Sequence, residues 1–216
     1  MRQYLRSSSF FLLFLLGACS PYSHLNKMDK TAGMASAFRF QPMFLRQLYR
    51  CVVDGQFLFK KFHLSGLLFF KAMDDGSTRV VLQNEMGFAL FDFSWTNDSL
   101  FTVKSIIPQL NKPAVIKTLR KDLELFMMKG LEKDREVYLI RNYEMLHRFP
   151  VGNGYVYYIE SSNQVRKIVN TGKRKTVTTI FESNRVNSHA MPDSVFIDHR
   201  RAHFTIDLNK IKDVAQ

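Results

Sequence analysis

Gly87-Phe88-Ala89-Leu90-Phe91-Asp92-Phe93-Ser94-Trp95 is the stretch that decides the fold of this 216-residue chain. Alternate residues of an extended strand point to the same face, so a sheet with one face in water alternates apolar and polar side chains. This stretch breaks that rule, because one face carries Ala89, Phe91, Phe93 and Trp95 and the other carries Phe88 and Leu90. Each face therefore needs a cover. The cover is either protein on both sides, or protein on one side and an apolar ligand on the other.

The same pattern occurs in Leu67-Leu68-Phe69-Phe70, and further apolar runs are separated by turn-forming residues. Asp54-Gly55, Asp74–Ser77 and Thr96–Ser99 are turns of this kind, and so are Ser161–Asn163 and Thr171-Gly172. Short strands joined by such turns are typical of an antiparallel meander. The predicted strands cover residues 48–53, 56–62, 64–73, 78–84, 87–95, 100–107, 155–160, 164–170, 173–183, 194–199 and 203–208, while 137–146 fits a strand or a helix.

Residues 112–129 carry the clearest helical period. One stripe of this predicted helix consists of Val115, Ile116, Leu119, Leu123, Phe126 and Met127, and Gly130 is placed as its C-terminal stop. We expect the stripe to pack on the sheet, with a helix lying on a membrane surface as the alternative. A shorter helix is expected near Phe38–Leu48. The predicted fold class is mostly β with an α element (α+β), an antiparallel sheet covered by an amphipathic helix.

If this helix covers one face of the sheet, the other face is free for a ligand. We expect Phe69, Phe91, Phe93 and Trp95 to lie on that free face. Such a surface is larger than a monomer normally leaves exposed. Acyl chains are the predicted cover, since each buried methylene contributes about 0.8 kcal/mol to binding.

The N-terminus carries a targeting signal. A positively charged start is followed by the apolar run Phe10–Leu16, by the small pair Gly17-Ala18 and by Cys19. The run is shorter than the roughly 20 residues of a membrane-spanning helix. It resembles the lipobox of bacterial lipoproteins, which implies cleavage before Cys19 and acylation of that residue; an ordinary signal peptide is the alternative. The predicted organisation is a signal peptide (1–18), a lipidated tether (19–43) and a single domain (44–216).

The chain is basic, with 31 Lys and Arg against 19 Asp and Glu. Cleavage would remove Arg2 and Arg6 and no acid, leaving a net charge of +10. Outside the cytoplasm the available polyanions are lipid headgroups, and no nucleic-acid-binding motif is present, so a membrane partner is predicted and a nucleic acid is not. The basic hairpin Lys173-Arg174-Lys175 is the candidate headgroup contact, and a solvated turn is its alternative. Cys51 is expected to be a buried hydrophobe in a monomer without disulfides.

Catalytic and metal-binding patterns are weak. His199 and His203 have four-residue spacing but lack the glutamate of a zinc motif and flank a predicted turn. Asp74 and Asp75 precede a glycine, which is typical of turn residues. The tyrosines 155, 157 and 158 could stack a carbohydrate, although strand packing is the usual role. We therefore predict no metal, no cofactor and no enzymatic activity.

The lipobox, the tether, the meander and the Pro-bracketed helix together resemble the LolA/LolB family of periplasmic lipoprotein carriers and outer-membrane receptors. The local likeness lies in Ser65-Gly66-Leu67, in the strands Arg79–Asp92 around Met86-Gly87-Phe88, and in the closing strands from Pro192 to Leu208. The family implies a half-barrel whose apolar concave side holds acyl chains beneath a helical lid. Its receptors also expose an apolar residue at a loop tip, for which Met86 or Leu110 is the candidate here.

The resulting prediction is a lipoprotein anchored to the periplasmic face of the outer membrane that carries or receives lipids or lipoproteins. No acidic residue directly follows Cys19, which is the basis for expecting the outer membrane. The alternatives are an envelope lipoprotein with a structural or assembly role and a hydrolase built on a similar sheet.

Overall fold

The computed structural model describes residues 35–57, 60–98, 100–141, 144–172, 175–183 and 185–211. The predictions made for the signal peptide, for Cys19, and for Lys173 and Arg174 fall outside these ranges. None of the helical segments within the described ranges has the length and apolarity needed to cross a bilayer.

The described strands form one antiparallel sheet with the order β5-β4-β3-β2-β1-β12-β11-β10-β9-β8-β7-β6. Two meanders, β1 to β5 and β6 to β12, join where β1 pairs with β12, so β5 and β6 are the two edges. This confirms the predicted α+β class with an antiparallel sheet. The strands are β1 (Arg46–Phe57), β2 (Lys60–Ala72), β3 (Thr78–Gln83), β4 (Ala89–Trp95), β5 (Phe101–Ile106), β6 (Val137–Arg141), β7 (Glu144–Val151), β8 (Gly154–Ser161), β9 (Gln164–Thr171), β10 (Thr176–Glu182), β11 (Ser194–His199) and β12 (Phe204–Lys210).

Most predicted turns are confirmed, and their residues have the backbone conformation that turns require. Gly76 has a φ value of 76°, and Ser162 and Asn163 have values of 51° and 59°. Gly87 was predicted to begin a strand, but it has a φ value of 85° and lies in the loop before β4. The hairpin predicted at Asp54-Gly55 is wrong, because β1 continues through both residues to Phe57. Gly55 serves packing instead: a Cβ at this position would lie 2.3 Å from the ring of Phe62. The ambiguous segment 137–146 forms two strands, β6 and the start of β7.

The single described α-helix, α1 (Pro113–Phe126), connects the two edge strands β5 and β6. Pro113 occupies the first turn, where its missing N–H leaves no hydrogen bond unmade. The helix ends before the predicted Gly130. Met128 takes the left-handed conformation (φ 54°) and donates to the carbonyl of Leu125, while Lys129 donates to that of Glu124. This is a Schellman end built on a buried methionine rather than on glycine.

We call the face on which α1 packs the inner face. Its core includes Tyr49, Leu68, Phe70 and Ile197, together with the free Cys51, which is buried as predicted. Burial raises the pKa of the Cys51 thiol to about 12, so this residue is unreactive near neutral pH.

The chain joins this core before the predicted domain boundary at residue 44. A short 3₁₀ helix, Ala37–Phe40, lies on the inner face with Ala37 and Phe40 fully buried. The helix predicted near Phe38–Leu48 is therefore limited to this turn, and β1 begins at Arg46.

Candidate functional site

Aromatic side chains form a wall on the inner face of β4 and β5. Phe91, Phe93 and Trp95 are at most 3 % exposed. The rings of Phe91 and Phe93 stack at 4.4 Å, and Phe101 of β5 lies 5.1 Å from Phe93 and 5.2 Å from Trp95. We call these four residues the aromatic wall. Ala89, at the start of the strand, is exposed and is not part of it.

Helix α1 covers the aromatic wall directly. The indole Nε1 of Trp95 donates to Oε1 of Glu124 at 3.1 Å. The expectation that α1 covers the face opposite Phe91, Phe93 and Trp95 is therefore wrong. Alternation identifies which residues share a face, but it carries no information about which face the crossover helix follows.

Phe69 lies on the other face of the sheet. It pairs with Val81, which pairs with Asp92 on β4, whereas Phe70 pairs with Val80 and through it with Phe93. Directly paired residues of antiparallel strands share a face, so Phe70 rather than Phe69 belongs with the aromatic wall. The ring of Phe70 also lies 5.6 Å from that of Phe126 in α1. The placement of Phe69 beside Phe93 is thus wrong by one residue of register.

Two carboxylates of α1 are buried against the sheet. Glu124, 6 % exposed, accepts from Trp95 and from Nε of Arg120 at 2.6 Å. Asp122, 1 % exposed, accepts from the hydroxyl of Thr178 at 3.0 Å, and its second oxygen lies 3.1 Å from Nδ1 of His199. The Thr178 hydroxyl lies 2.6 Å from the same Nδ1. We call Asp122, Thr178 and His199 the polar pin.

Burial shifts both titratable groups of the polar pin toward their neutral forms. Desolvation raises the pKa of Asp122 to about 7, against the opposing effects of Thr178 and Lys121. Desolvation likewise lowers the pKa of His199 to about 4. The pin therefore holds an uncharged imidazole from mildly acidic to neutral pH. His199 and His203 do not form a pair, because the ring of His199 stacks on Phe204 and turns toward α1.

A third polar contact fixes the C-terminal turn of α1, where the Tyr158 hydroxyl donates to the carbonyl of Leu125 at 2.8 Å. Tyr158 is fully buried, which raises the pKa of its phenol well above the usual value. Tyr157 is also buried but faces the other side of the sheet, so these two tyrosines form no shared stacking platform. The interpretation as strand packing is confirmed for them.

A second buried network holds the entering chain on β6 to β8. His147 is fully buried between Glu136, 2.8 Å from Nδ1, and Glu160, 2.9 Å from Nε2. Ser36 Oγ and Ala37 N donate to Glu136, and Arg39 binds both oxygens of Glu160 at 2.6 Å. We call Glu136, His147, Glu160 and Arg39 the entry clamp. These hydrogen bonds and the charge of His147 lower the pKa of Glu136 against the effect of its burial.

Alternate hairpins of an antiparallel sheet lie at the same end, so the loops after β1, β3, β9 and β11 share one end of the sheet. At this end Met86 and Phe88 are 80 % and 66 % exposed. Lys175 and Arg201 are also exposed here. Leu110, the other candidate for an exposed apolar tip, packs against the core instead. At the opposite end the hairpin tips carry Asp74, Asp75 and Asp98.

An open depression of about 510 Å³ lies at the same end as Met86. Most of the residues that line it carry polar or charged side chains, and two of its acids have close partners: Asp54 lies 2.7 Å from Nδ1 of His63, and Asp198 lies 3.2 Å from Nε of Arg200. His199 of the polar pin also lines this depression. Within the described ranges no group of His, Cys, Asp and Glu side chains is arranged to bind a metal ion.

Sequence reasoning missed the polar pin and the entry clamp. Asp122 and Glu124 lie near the apolar stripe of the helix. A carboxylate buried there needs a hydrogen-bond partner, so its position is a weak signal that such a partner exists. The partners themselves, Thr178, His199 and Trp95, are set by the sheet order and leave no local signal.

No family model and no curated protein matches the chain. Several solved structures are similar to it, among them the three that follow. A DUF1329 family protein from Desulfovibrio piger is 11 % identical with a TM-score of 0.43, covering 83 % of this chain and 91 % of its own. An outer membrane lipoprotein-sorting protein domain from Vibrio parahaemolyticus is 8 % identical with a TM-score of 0.44, covering 82 % and 87 %. A LolA superfamily protein from Nitrosomonas europaea is 7 % identical with a TM-score of 0.47, covering 84 % and 96 %. At these scores the likenesses decide nothing about function.

Proposed function

We propose that this protein is a membrane-anchored carrier or receptor that binds the acyl chains of lipids or lipoproteins between α1 and the inner face of the sheet. The observation that carries the proposal is the position of α1, a helical crossover that joins the two edge strands and covers the aromatic wall. A helix placed in this way can act as a lid. Displacing it uncovers the wall without separating any two strands.

Most of the closing interactions lie in the second half of α1. Leu123, Leu125 and Phe126 are buried, whereas Val115, Ile116 and Leu119 in the first half are only partly covered. Within the described ranges, the polar contacts that join α1 to the sheet include the Trp95–Glu124 bond, the polar pin and the Tyr158–Leu125 bond. Acyl chains that replace the apolar side chains of the helix offset the loss of packing by about 0.8 kcal/mol per methylene.

The end of the sheet that carries Met86 and Phe88 is the proposed membrane-facing end. Exposed apolar residues at the same end of a sheet as exposed cations suit the boundary between acyl chains and anionic headgroups. Lys175 is the described member of the predicted headgroup contact, and Arg201 adds a cation at the same end. In this proposal Met86 and Phe88 enter the bilayer and orient the opening beneath α1 toward it.

The same proposal places the protein on the periplasmic face of the outer membrane, anchored through Cys19, as a monomer with a half-barrel sheet and no catalytic step. A hydrolase has less support, because the hydroxyl of Thr178 is fully buried and Asp122 is 1 % exposed, so that only His199 of the polar pin reaches the open depression. No described feature favours a purely structural role over a binding role.

Native mass spectrometry of the Cys19→Ala chain, purified from cells without added lipid, tests the proposal. This variant removes the anchor, so any remaining acyl mass belongs to bound ligand. A carrier should retain a fraction with the added mass of a lipid, which is released by organic solvent. A single ligand-free mass, unchanged after incubation with phospholipid or with an acylated lipopeptide, would contradict the proposal.

A further inference from the structure

The open depression lies where β1 and β11 end and where β2 and β12 begin, and pairing across these strands determines which side chains line it. Val53 pairs with Ile206 in the core of the inner face. Neighbouring residues of a strand point to opposite faces, so the next pair, Asp54 and Thr205, faces away from α1. Asp198 pairs with Thr205 and shares that face. We call Asp54, Thr205 and Asp198 the acidic row.

A second set of side chains in the depression lies nearer the tips of the hairpins and carries positive charge. Gln56, which follows Asp54 along β1 on the same face, pairs with Lys61, and its N–H donates to the carbonyl of His203 at 3.0 Å. Arg200 directly follows β11 on the other side of the depression. Successive residues on one face of a strand are about 7 Å apart. Lys61 and Arg200, which we call the cationic rim, therefore lie closer to the end of the sheet than the acidic row does.

The charged groups of the depression are accessible to a ligand. Nε of Arg200 lies 3.2 Å from Oδ2 of Asp198, and these side chains are 65 % and 33 % exposed. Nδ1 of His63 lies 2.7 Å from Oδ1 of Asp54, with 62 % and 60 % exposed. Ion pairs this exposed contribute little to stability, so a ligand can replace them. Within the described ranges, no ion pair or side-chain hydrogen bond engages Lys61, which is also exposed.

We propose that the depression binds a phosphate ester of a primary amine, of the phosphoethanolamine class, with its ammonium on the acidic row and its phosphate at the cationic rim. A primary ammonium group only donates hydrogen bonds, and the carboxylates and hydroxyl of the acidic row accept them. The guanidinium and ammonium side chains of the rim suit phosphate. Binding keeps the charges balanced, because the ammonium of the ligand replaces Arg200 beside Asp198 and releases the guanidinium for the phosphate. An anion without an amine offers no such exchange and would lie close to two carboxylates.

The order of these groups matches a phospholipid at the proposed membrane-facing end, and this orientation rests on the proposed function. From the centre of a bilayer outward, such a lipid presents acyl chains, then phosphate, then amine. From the end of the sheet inward, the chain presents Met86 and Phe88, then the cationic rim, then the acidic row. The depression is distinct from the proposed acyl site, because the acidic row faces away from α1. Free phosphoethanolamine has the same chemistry as the lipid headgroup.

Titration of the isotope-labelled Cys19→Ala chain with phosphoethanolamine tests the site without a membrane. The amide resonances of Asp198 and Thr205 are the reporters, and the remaining spectrum shows that each variant is folded. We expect saturable shifts, with a Kd at least tenfold lower than for ethanolamine or for inorganic phosphate. Asp198→Asn should raise the Kd about tenfold, because it removes a charge-assisted hydrogen bond. Asp207→Asn makes the same charge change on the same face outside the depression and should leave the Kd within about twofold.

Two results would overturn the inference. One is the absence of saturable shifts at Asp198 and Thr205 with phosphoethanolamine. The other is a Kd for inorganic phosphate as low as that for phosphoethanolamine, which would make the depression a simple anion site. Equal weakening by Asp198→Asn and Asp207→Asn would have the same consequence, because the effect would then be one of net charge.

Vesicles identify the source of the ligand. Phosphatidylcholine vesicles that contain phosphatidylethanolamine should bind the chain at least threefold more tightly than phosphatidylcholine alone, and Asp198→Asn should remove this difference while Asp207→Asn keeps it. Binding of free phosphoethanolamine without this vesicle preference would assign the site to a soluble ligand. A chain that binds phosphoethanolamine but shows no acyl ligand by native mass spectrometry would reject the proposed function and retain this site. Acyl binding without phosphoethanolamine binding would do the reverse.

Discussion

Replacing Asp122 by Asn should change how stability depends on pH, because the two titratable groups of the polar pin act in opposite directions. The native state keeps a proton on Asp122 up to a pKa of about 7, whereas an unfolded aspartate releases it near 3.8. Rising pH therefore destabilises the native state through Asp122 between about pH 4 and 7. His199 has the opposite sign: its pKa falls from 6.5 to about 4 on folding, so rising pH stabilises the native state through it between pH 4 and 6.5.

In the unaltered protein these two effects largely cancel between pH 4 and 6.5. Asp122→Asn removes the part of the stability that falls as the pH rises. The free energy of unfolding of the variant minus that of the unaltered protein should therefore rise by about 3 kcal/mol from pH 4 to pH 7. This follows because one titrating group changes stability by at most about 1.4 kcal/mol per pH unit. His199→Gln should have the opposite effect: its free energy of unfolding minus that of the unaltered protein should fall between pH 4 and 6.5. Urea unfolding at half-unit pH steps measures both. A flat difference for Asp122→Asn would refute the account of the polar pin.

Three further outcomes follow from burial and position. Leu123→Ala should lower the free energy of unfolding by about 2–5 kcal/mol, and Leu119→Ala should lower it by less because Leu119 is only partly buried. If both variants instead kept the melting temperature of the unaltered protein and bound vesicles more weakly, the helix would lie on the membrane surface. The double variant Met86→Asp, Phe88→Asp should no longer bind anionic vesicles, while its free energy of unfolding should stay within about 0.5 kcal/mol of that of the unaltered protein. Leu100→Asp, at the opposite end of the sheet, should bind vesicles normally. Equal losses of vesicle binding in the two proteins would contradict the proposed membrane-facing end. Cys19→Ala should leave the protein soluble or unprocessed, and an acylated species in the membrane fraction would disprove the lipobox prediction.

The strands and the helix were predictable because their signals are local. Turn residues such as Asn163 and Gly76 have the conformations that their positions require, and the stripe from Ile116 to Met127 packs on the core as its spacing indicates. The hairpin predicted at Asp54-Gly55 is wrong because glycine serves two purposes. It permits turns, but here it makes room for the ring of Phe62 within a continuous strand.

The arrangement of the candidate site depended on information that is not local. Placing Phe70 rather than Phe69 beside Phe93 requires the register of two successive strand pairs, and a shift of one residue reverses every side chain. The face chosen by α1 and the partners of Asp122 depend on which strands the crossover helix passes over. The end of α1 at Met128 also leaves no signal in the sequence, because a left-handed backbone conformation is expected at glycine. Here burial of the methionine offsets the backbone strain that glycine would avoid.

Quenching of Trp95 fluorescence tests the central claim that acyl chains enter beneath α1. Trp95 is the chain's single tryptophan and lies in the aromatic wall, bonded to the lid through Glu124. A fatty acyl lipid that is brominated in its chain should quench the fluorescence of Trp95 only if the chain takes the place of the helix side chains that pack on Trp95. The chain from residue 20 onward is the protein to use, because it lacks the anchor.

A matched control is a reversible lock on the lid. The Thr178 hydroxyl donates to Oδ1 of Asp122 at 3.0 Å across the helix–sheet boundary. We therefore choose Asp122→Cys with Thr178→Cys as the pair, and a thiol assay first checks that the disulfide forms. The account predicts saturable quenching in the unaltered chain, its loss in the oxidised double variant and its return on reduction. Trp95 fluorescence that brominated lipid leaves unchanged in the unaltered and the reduced protein alike would contradict the account, and the inner face would then be an ordinary protein core.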